Sequence, residues 1–74
     1  MKPEPTLNQK MKPAEYVYSR GKLTRDAAEQ KIMDFMADGE ISACEMPRAV
    51  NYTLSDGGTR WAIVLTDTAL AAYT

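Results

Sequence analysis

Residues 49–66, AVNYTLSDGGTRWAIVLT, carry the pattern that decides the fold. Before the Ser55-Asp56-Gly57-Gly58 stretch, Val50, Tyr52 and Leu54 alternate with Asn51, Thr53 and Ser55. After it, Trp61, Ile63 and Leu65 alternate with Arg60, Ala62, Val64 and Thr66. Successive strand side chains point to opposite faces, so a period of two marks a β-strand. Asp-Gly and Gly-Gly supply the positive φ that tight hairpin turns require. A loop with an even number of residues sets Val50, Tyr52 and Leu54 on one face with Trp61, Ile63 and Leu65. That single apolar face argues for the even loop, with Asp56-Gly57 and Gly57-Gly58 as alternative centres. The second strand is apolar on both faces, which predicts a central place in the sheet.

Upstream of the hairpin, residues 23–38, LTRDAAEQKIMDFMAD, predict the main helix. Thr24 is placed to cap its first free amides with a hydroxyl oxygen. Asp26 and Glu29 lie near the positive end of the helix dipole. Ala28, Ile32, Phe35 and Met36 follow i, i+4, i+7, i+8 spacing and form one apolar stripe, with Met33 at its rim. Gly39 stands where a left-handed residue ends a helix. Residues 15–19, EYVYS, predict a short strand, because aromatic and β-branched side chains suit a pleated surface. Arg20-Gly21-Lys22 then turns the chain. Residues 40–48 leave a helical turn, an irregular strand and a loop open, with Pro47 against a continuing helix or a central strand. After the hairpin, Thr66 or Asp67 caps a short terminal helix over residues 68–73, with Leu70 and Tyr73 as its buried side.

These elements predict an α+β fold. A small three-stranded antiparallel sheet, built from a strand and a β-hairpin, carries one main helix on a face and a short C-terminal helix. Trp61, Ile63, Tyr52 and Val50 are expected to meet Ile32, Phe35 and Met36. Residues 1–13, with Pro3, Pro5 and Pro13 among polar side chains, read as a flexible N-terminal arm on which Leu7 and Met11 are the candidate docking residues. Residues 14–74 form the single domain.

With 74 residues, one domain is the sensible count. A chain of this size buries only roughly 60% of its unfolded surface, leaving little room for a preorganised catalytic cleft. Lys and Arg number 9 against 10 Asp and Glu, for a net charge of −1, so there is no basic footprint of the kind nucleic acid selects. Cys44 is the lone cysteine and histidine is absent, which rules out an internal disulfide and a Cys/His metal site within one chain. No apolar run approaches the ~20 residues of a membrane span, and the N-terminal residues lack a signal peptide's apolar core. A cytoplasmic location is expected, with no cofactor and no membrane association.

Catalytic candidates are few. Cys44 lacks a histidine base and reads as a small packing thiol. Asp34, Asp38 and Glu40 offer a paired carboxylate, but Asp34 and Asp38 share a helix face that is ordinarily solvated. Gly57-Gly58 joins two strands and opens no phosphate-binding helix. Tyr16, Tyr18, Tyr52, Trp61 and Phe35 are aromatic enough for a stacking platform, yet Trp61 and Phe35 read as core. Tyr16 and Tyr18 share a parity and suit an exposed sheet face, where Tyr and Arg anchor protein interfaces.

Two resemblances follow. The segment YTLSDGGTRWAIVLTDTALAAY resembles the wing and closing helix of a winged-helix domain. There an apolar strand runs into an L-T-[DEP]-x-[GA] helix start, as Leu65-Thr66-Asp67-Thr68-Ala69 does here. KIMDFMADGEISACEMPRAV is faintly similar to the first two helices of that family. This implies a DNA-binding transcriptional regulator. Against the pattern, no recognition helix is predicted before the hairpin, and Pro47 falls where helical geometry is needed. In size and economy the chain is similar to the small accessory proteins of bacteriophages and mobile elements, which dock on a host protein and inhibit or redirect it.

The expected function is therefore that of a small non-enzymatic protein-interaction module, a regulator or inhibitor with a protein partner. DNA binding is the alternative, and homodimerisation stays open. The expected partner-binding surface is Tyr16, Tyr18, Arg20, Asn51, Thr53 and Arg60, because alternation sets several of them away from the helix-covered face.

Overall fold

The computed structural model describes residues 10–71. It contains β1 (Glu15–Lys22), α1 (Arg25–Ala37), a single 3-10 turn (Ala43–Glu45), β2 (Arg48–Thr53), β3 (Thr59–Thr66) and α2 (Thr68–Ala71). The three strands form one antiparallel sheet in the order β1-β3-β2, so the doubly apolar strand is central, as its composition predicts. The fold is α+β, with one main helix and a short C-terminal one. The arm expected over residues 1–13 lies outside the described residues up to residue 9. From Lys10 onward the chain lies against the sheet, with Met11 packed beside Val50, Tyr52, Ala62 and Val64.

Helix α1 begins and ends where the sequence indicates. Thr24 Oγ1 accepts a hydrogen bond of 3.0 Å from the Ala27 amide. At the far end Gly39 has φ 79°, its amide donates to Met36 O, and the Glu40 amide donates to Phe35 O. Those two bonds form the paired closure of a Schellman motif, which satisfies carbonyls that a helix end would otherwise leave unpaired. The segment left open over residues 40–48 is a 3-10 turn after Ser42, whose amide donates to Glu45 Oε1. Ile41 is buried. Met46, at φ 49°, bends the chain left-handed into Pro47 and β2.

The hairpin register corrects the even-loop expectation. Thr53 faces Thr59, Tyr52 faces Arg60, Asn51 faces Trp61 and Val50 faces Ala62. Leu54 N donates to Gly58 O, leaving Ser55-Asp56-Gly57 as a three-residue loop. Gly57 takes φ 93°, the left-handed position that ends this type of loop. Val50 and Tyr52 therefore share a face with Ala62 and Val64, while Trp61, Ile63 and Leu65 occupy the other. The physical reason is that both faces of the sheet are buried. One apolar cluster joins Val50, Tyr52, Ala62 and Val64. The second joins Ala28, Ile41, Ile63 and Leu65 under α1. With two faces to cover, the register need not gather every large side chain on one of them.

Three smaller corrections follow from packing. Tyr52 and Val50 do not meet the helix; Ile32 and Phe35 of α1 pack instead against the cluster of Ile63 and Leu65, together with Trp61 and Ala49. Met36 and Leu70 are exposed and not core. Tyr73, the other expected buried residue of the terminal helix, lies outside the described residues. Asp67 caps α2, its Oδ1 accepting from the Ala69 and Leu70 amides. Arg20-Gly21-Lys22 does not turn the chain, because β1 runs on to Lys22 through two register shifts against β3. Gly21, at φ 87°, absorbs the irregularity, and its amide donates to the Tyr52 hydroxyl at 3.0 Å.

Candidate protein-docking groove

The six residues expected to form one surface are divided between two faces. Tyr16 is paired with Leu65, Asn51 with Trp61 and Thr53 with Thr59, which gives them the parity of the helix-covered face. Tyr18 packs edge-on against Phe35 of α1, with ring centroids 5.2 Å apart. Its hydroxyl donates to Glu40 Oε1 at 2.6 Å, and this bond to a carboxylate raises the Tyr18 pKa above its ordinary value. On the opposite face, the Arg20 guanidinium stands over the Tyr52 ring at 5.9 Å. Arg60 is paired across the sheet with Tyr52. Asn51 and Thr53 thus lie on the face opposite to the one expected, because the odd loop reverses the parity of β2 against β3. Tyr16 and Tyr18 take the helix side through the separate pairing of β1 with β3, with Tyr16 still 42% exposed.

The catalytic candidates each have a local partner or stand exposed. Cys44 is exposed, with Sγ 3.0 Å from Ser42 Oγ. Asp34 accepts a hydrogen bond from Gln30 Nε2, while Glu40 is engaged by Tyr18. Among the described residues no group of His, Cys, Asp and Glu is arranged to hold a metal ion. No helix among them is long and apolar enough to cross a membrane.

A groove of about 470 Å³ lies between α1 and the start of β2. Ile32 and Met33 line its helix side, and Pro47 and Ala49 line its strand side. Arg25, Glu29, Ile32 and Met33 fall at i, i+4, i+7 and i+8, so one side of the helix faces the groove. Arg25 and Glu29 pair with each other at 2.9 Å on the rim. Met33 is 62% exposed, a large apolar side chain left without cover. No protein-family model matches the chain, and neither a curated protein nor a solved structure matches it.

The groove runs beside the outer edge of β2, which pairs with no further strand among the described residues. Leu54 and Gly58 form a hydrogen-bonded pair, and bonded and non-bonded pairs alternate along antiparallel strands. Tyr52 and Val50 therefore turn their backbone groups inward to β3, and Asn51 and Ala49 turn theirs outward. The position of Lys10 agrees. Its ammonium donates to both the backbone carbonyl and the side-chain oxygen of Asn51. The Lys10 carbonyl is in turn held by Arg48 Nη2 at 2.9 Å. Lys10 thus donates hydrogen bonds to that outer edge at Asn51.

Met33 was legible as a rim residue from helical spacing. Lys10 and Pro47 were not legible as parts of a site. Lys10 meets Asn51 across a separation of 41 residues, which no local pattern announces.

Proposed function

We propose that this chain is a small non-enzymatic protein-interaction module that acts by occupying a partner's surface. The observation that carries the reading is the groove between α1 and β2, an apolar floor set beside outward-turned backbone groups. Small-molecule sites are ordinarily enclosed, whereas an open groove along a sheet edge suits a polypeptide. The even charge balance supports a protein partner over nucleic acid. The 3-10 turn between α1 and β2, where a winged-helix protein carries its recognition helix, weighs the same way. The reading places the chain in the cytoplasm, with the small accessory proteins of phages and mobile elements that inhibit or redirect a host protein.

The test is capture of partners by the tagged chain from its native host, with and without nuclease, read by mass spectrometry. One stoichiometric protein that survives nuclease is the expected result. Recovery of DNA, with every protein lost after nuclease, overturns the reading.

A further inference from the structure

We infer that the outer edge of β2 takes an extended acidic segment of the partner as an added strand, with an apolar side chain in the α1–β2 groove and a carboxylate on Lys10. This rests on the protein-docking reading and names the surface and the chemistry of what it binds.

Three observations carry it. The first is the contrast between the two sheet edges. β1 is interrupted by register shifts after Val17 and after Ser19, and such irregularity blunts an edge against pairing. β2 pairs with β3 without a shift from Arg48 to Thr53. Its outward-turned groups at Ala49 and Asn51 are a regular template for another strand, which neither a helix nor a small ligand matches. The second is the groove itself. Alternate side chains of an added strand fall on the helix-covered side, where Ile32, Met33, Pro47 and Ala49 present apolar surface.

The third is charge. Arg25 is paired with Glu29, and Arg48 with Glu15. The Lys10 ammonium at the edge is hydrogen-bonded to the neutral oxygens of Asn51 and has no carboxylate partner among the described residues. An incoming strand exchanges these bonds, leaving Asn51 Oδ1 to water. Its N–H takes the Asn51 carbonyl, and its carboxylate takes the released ammonium. A second copy of this chain does not fit the edge, because β2 reads RAVNYT and has no acidic residue to offer.

The probe is a displayed library of random peptides selected on the full chain, followed by titration of the enriched peptides in solution. Enriched peptides are expected to carry Asp or Glu close to a large apolar residue. They are expected to shift the amide resonances of Ala49 and Asn51 and the methyl resonance of Met33. N-methylation of the bound peptide at alternate residues, on one parity only, should weaken binding about tenfold, the effect of losing one good backbone hydrogen bond. Lys10→Glu should weaken acidic peptides about fivefold and shift selection toward basic ones. Binding without parity dependence, binding as a helix, resonance shifts away from β2, or failure to enrich any peptide overturns the strand-addition proposal. A host protein still captured equally by wild type, Lys10→Glu and Met33→Glu would leave the docking reading standing and remove this surface from it.

Discussion

Arg48 holds the Glu15 carboxylate across the central strand with two hydrogen bonds of 2.7 Å, Nε to Oε2 and Nη2 to Oε1. The two residues stand on opposite outer strands, Glu15 paired with Thr66 and Arg48 with Val64. The pair therefore closes over β3 on the face away from α1. The Glu15 side chain is only 3% exposed, against 35% for Arg48. The Lys12 amide donates a third bond to Glu15 Oε1 at 2.7 Å. A bidentate guanidinium fork with a nearly dry carboxylate is far stronger than an exposed ion pair. The same guanidinium also holds the Lys10 carbonyl, so this pair fixes both the sheet and the segment entering it.

Removing one partner should cost more than removing both. Arg48→Ala strands a buried carboxylate and should lower stability by about 3 kcal/mol. Glu15→Ala leaves a cation that water reaches, and should cost about 1.5–3 kcal/mol. Urea denaturation of both single variants and the double variant gives the coupling directly. The expected coupling is about 1–3 kcal/mol. Strict additivity would show that the two residues act independently.

The same pair sets an acid limit. The Arg48 hydrogen bonds hold the Glu15 carboxyl below its ordinary value of 4.5, against the opposing effect of burial. A carboxyl with a depressed folded pKa binds fewer protons in the folded state than in the unfolded one. Its stabilisation is complete above the unfolded value and is lost as pH falls through the folded one. Stability measured from pH 7 downward should therefore hold until about the ordinary carboxylate range and then decline. Glu15→Gln should be less stable at neutral pH and show a flatter acid limb. Parallel acid limbs in the two proteins would assign the decline to other carboxylates.

Two left-handed backbone positions should respond in opposite directions, one on gaining a Cβ and the other on losing it. Gly57 closes the hairpin at φ 93° and Met46 enters β2 at φ 49°. Left-handed backbone costs an ordinary L-residue about 1–2 kcal/mol and glycine almost nothing. Gly57→Ala should destabilise the chain by about 1 kcal/mol. Met46→Gly should stabilise it by about 0.5–1 kcal/mol, because Met46 is 61% exposed and little packing is lost. Thermal unfolding of both variants checks the pair of signs. A loss of stability in Met46→Gly would mean that the exposed side chain makes contacts that matter more than the strain.

How far the sequence reveals this molecule depends on the range of the interaction involved. Helix α1 was legible because Thr24, the apolar stripe and Gly39 act within a few residues of one another. The central place of β3 was legible because Ala62 and Val64 make both its faces apolar. The hairpin register was not, although Gly57 was in view. One turn residue permits both an odd and an even loop, and the choice belongs to whatever covers each face. That parity moved Asn51 and Thr53 to the helix side. The pairing and register shifts of β1 put Tyr16 and Tyr18 on one face and Arg20 on the other, so the expected surface of Tyr16, Tyr18, Arg20, Asn51, Thr53 and Arg60 came apart into two. The groove was hidden for a related reason. It is formed by Met33 on one element and Pro47 on another, and its edge is marked by Lys10 from a third. Each looks ordinary alone.

Tyr52 gives the sharpest test of the observed register. Its ring is 3% exposed on the face away from α1, and its hydroxyl accepts from the Gly21 amide at the irregular end of β1. In the even-loop register Tyr52 faces α1, and this bond cannot form. Tyr52→Phe keeps the ring and removes the acceptor. The expected loss is about 0.5–1.5 kcal/mol, the net worth of one such hydrogen bond. Hydrogen exchange at the Gly21 amide should accelerate beyond what that global loss explains, while the amides of α1 follow global stability alone. Unchanged protection at Gly21 would place the Tyr52 hydroxyl elsewhere and with it the parity of the whole β2 strand.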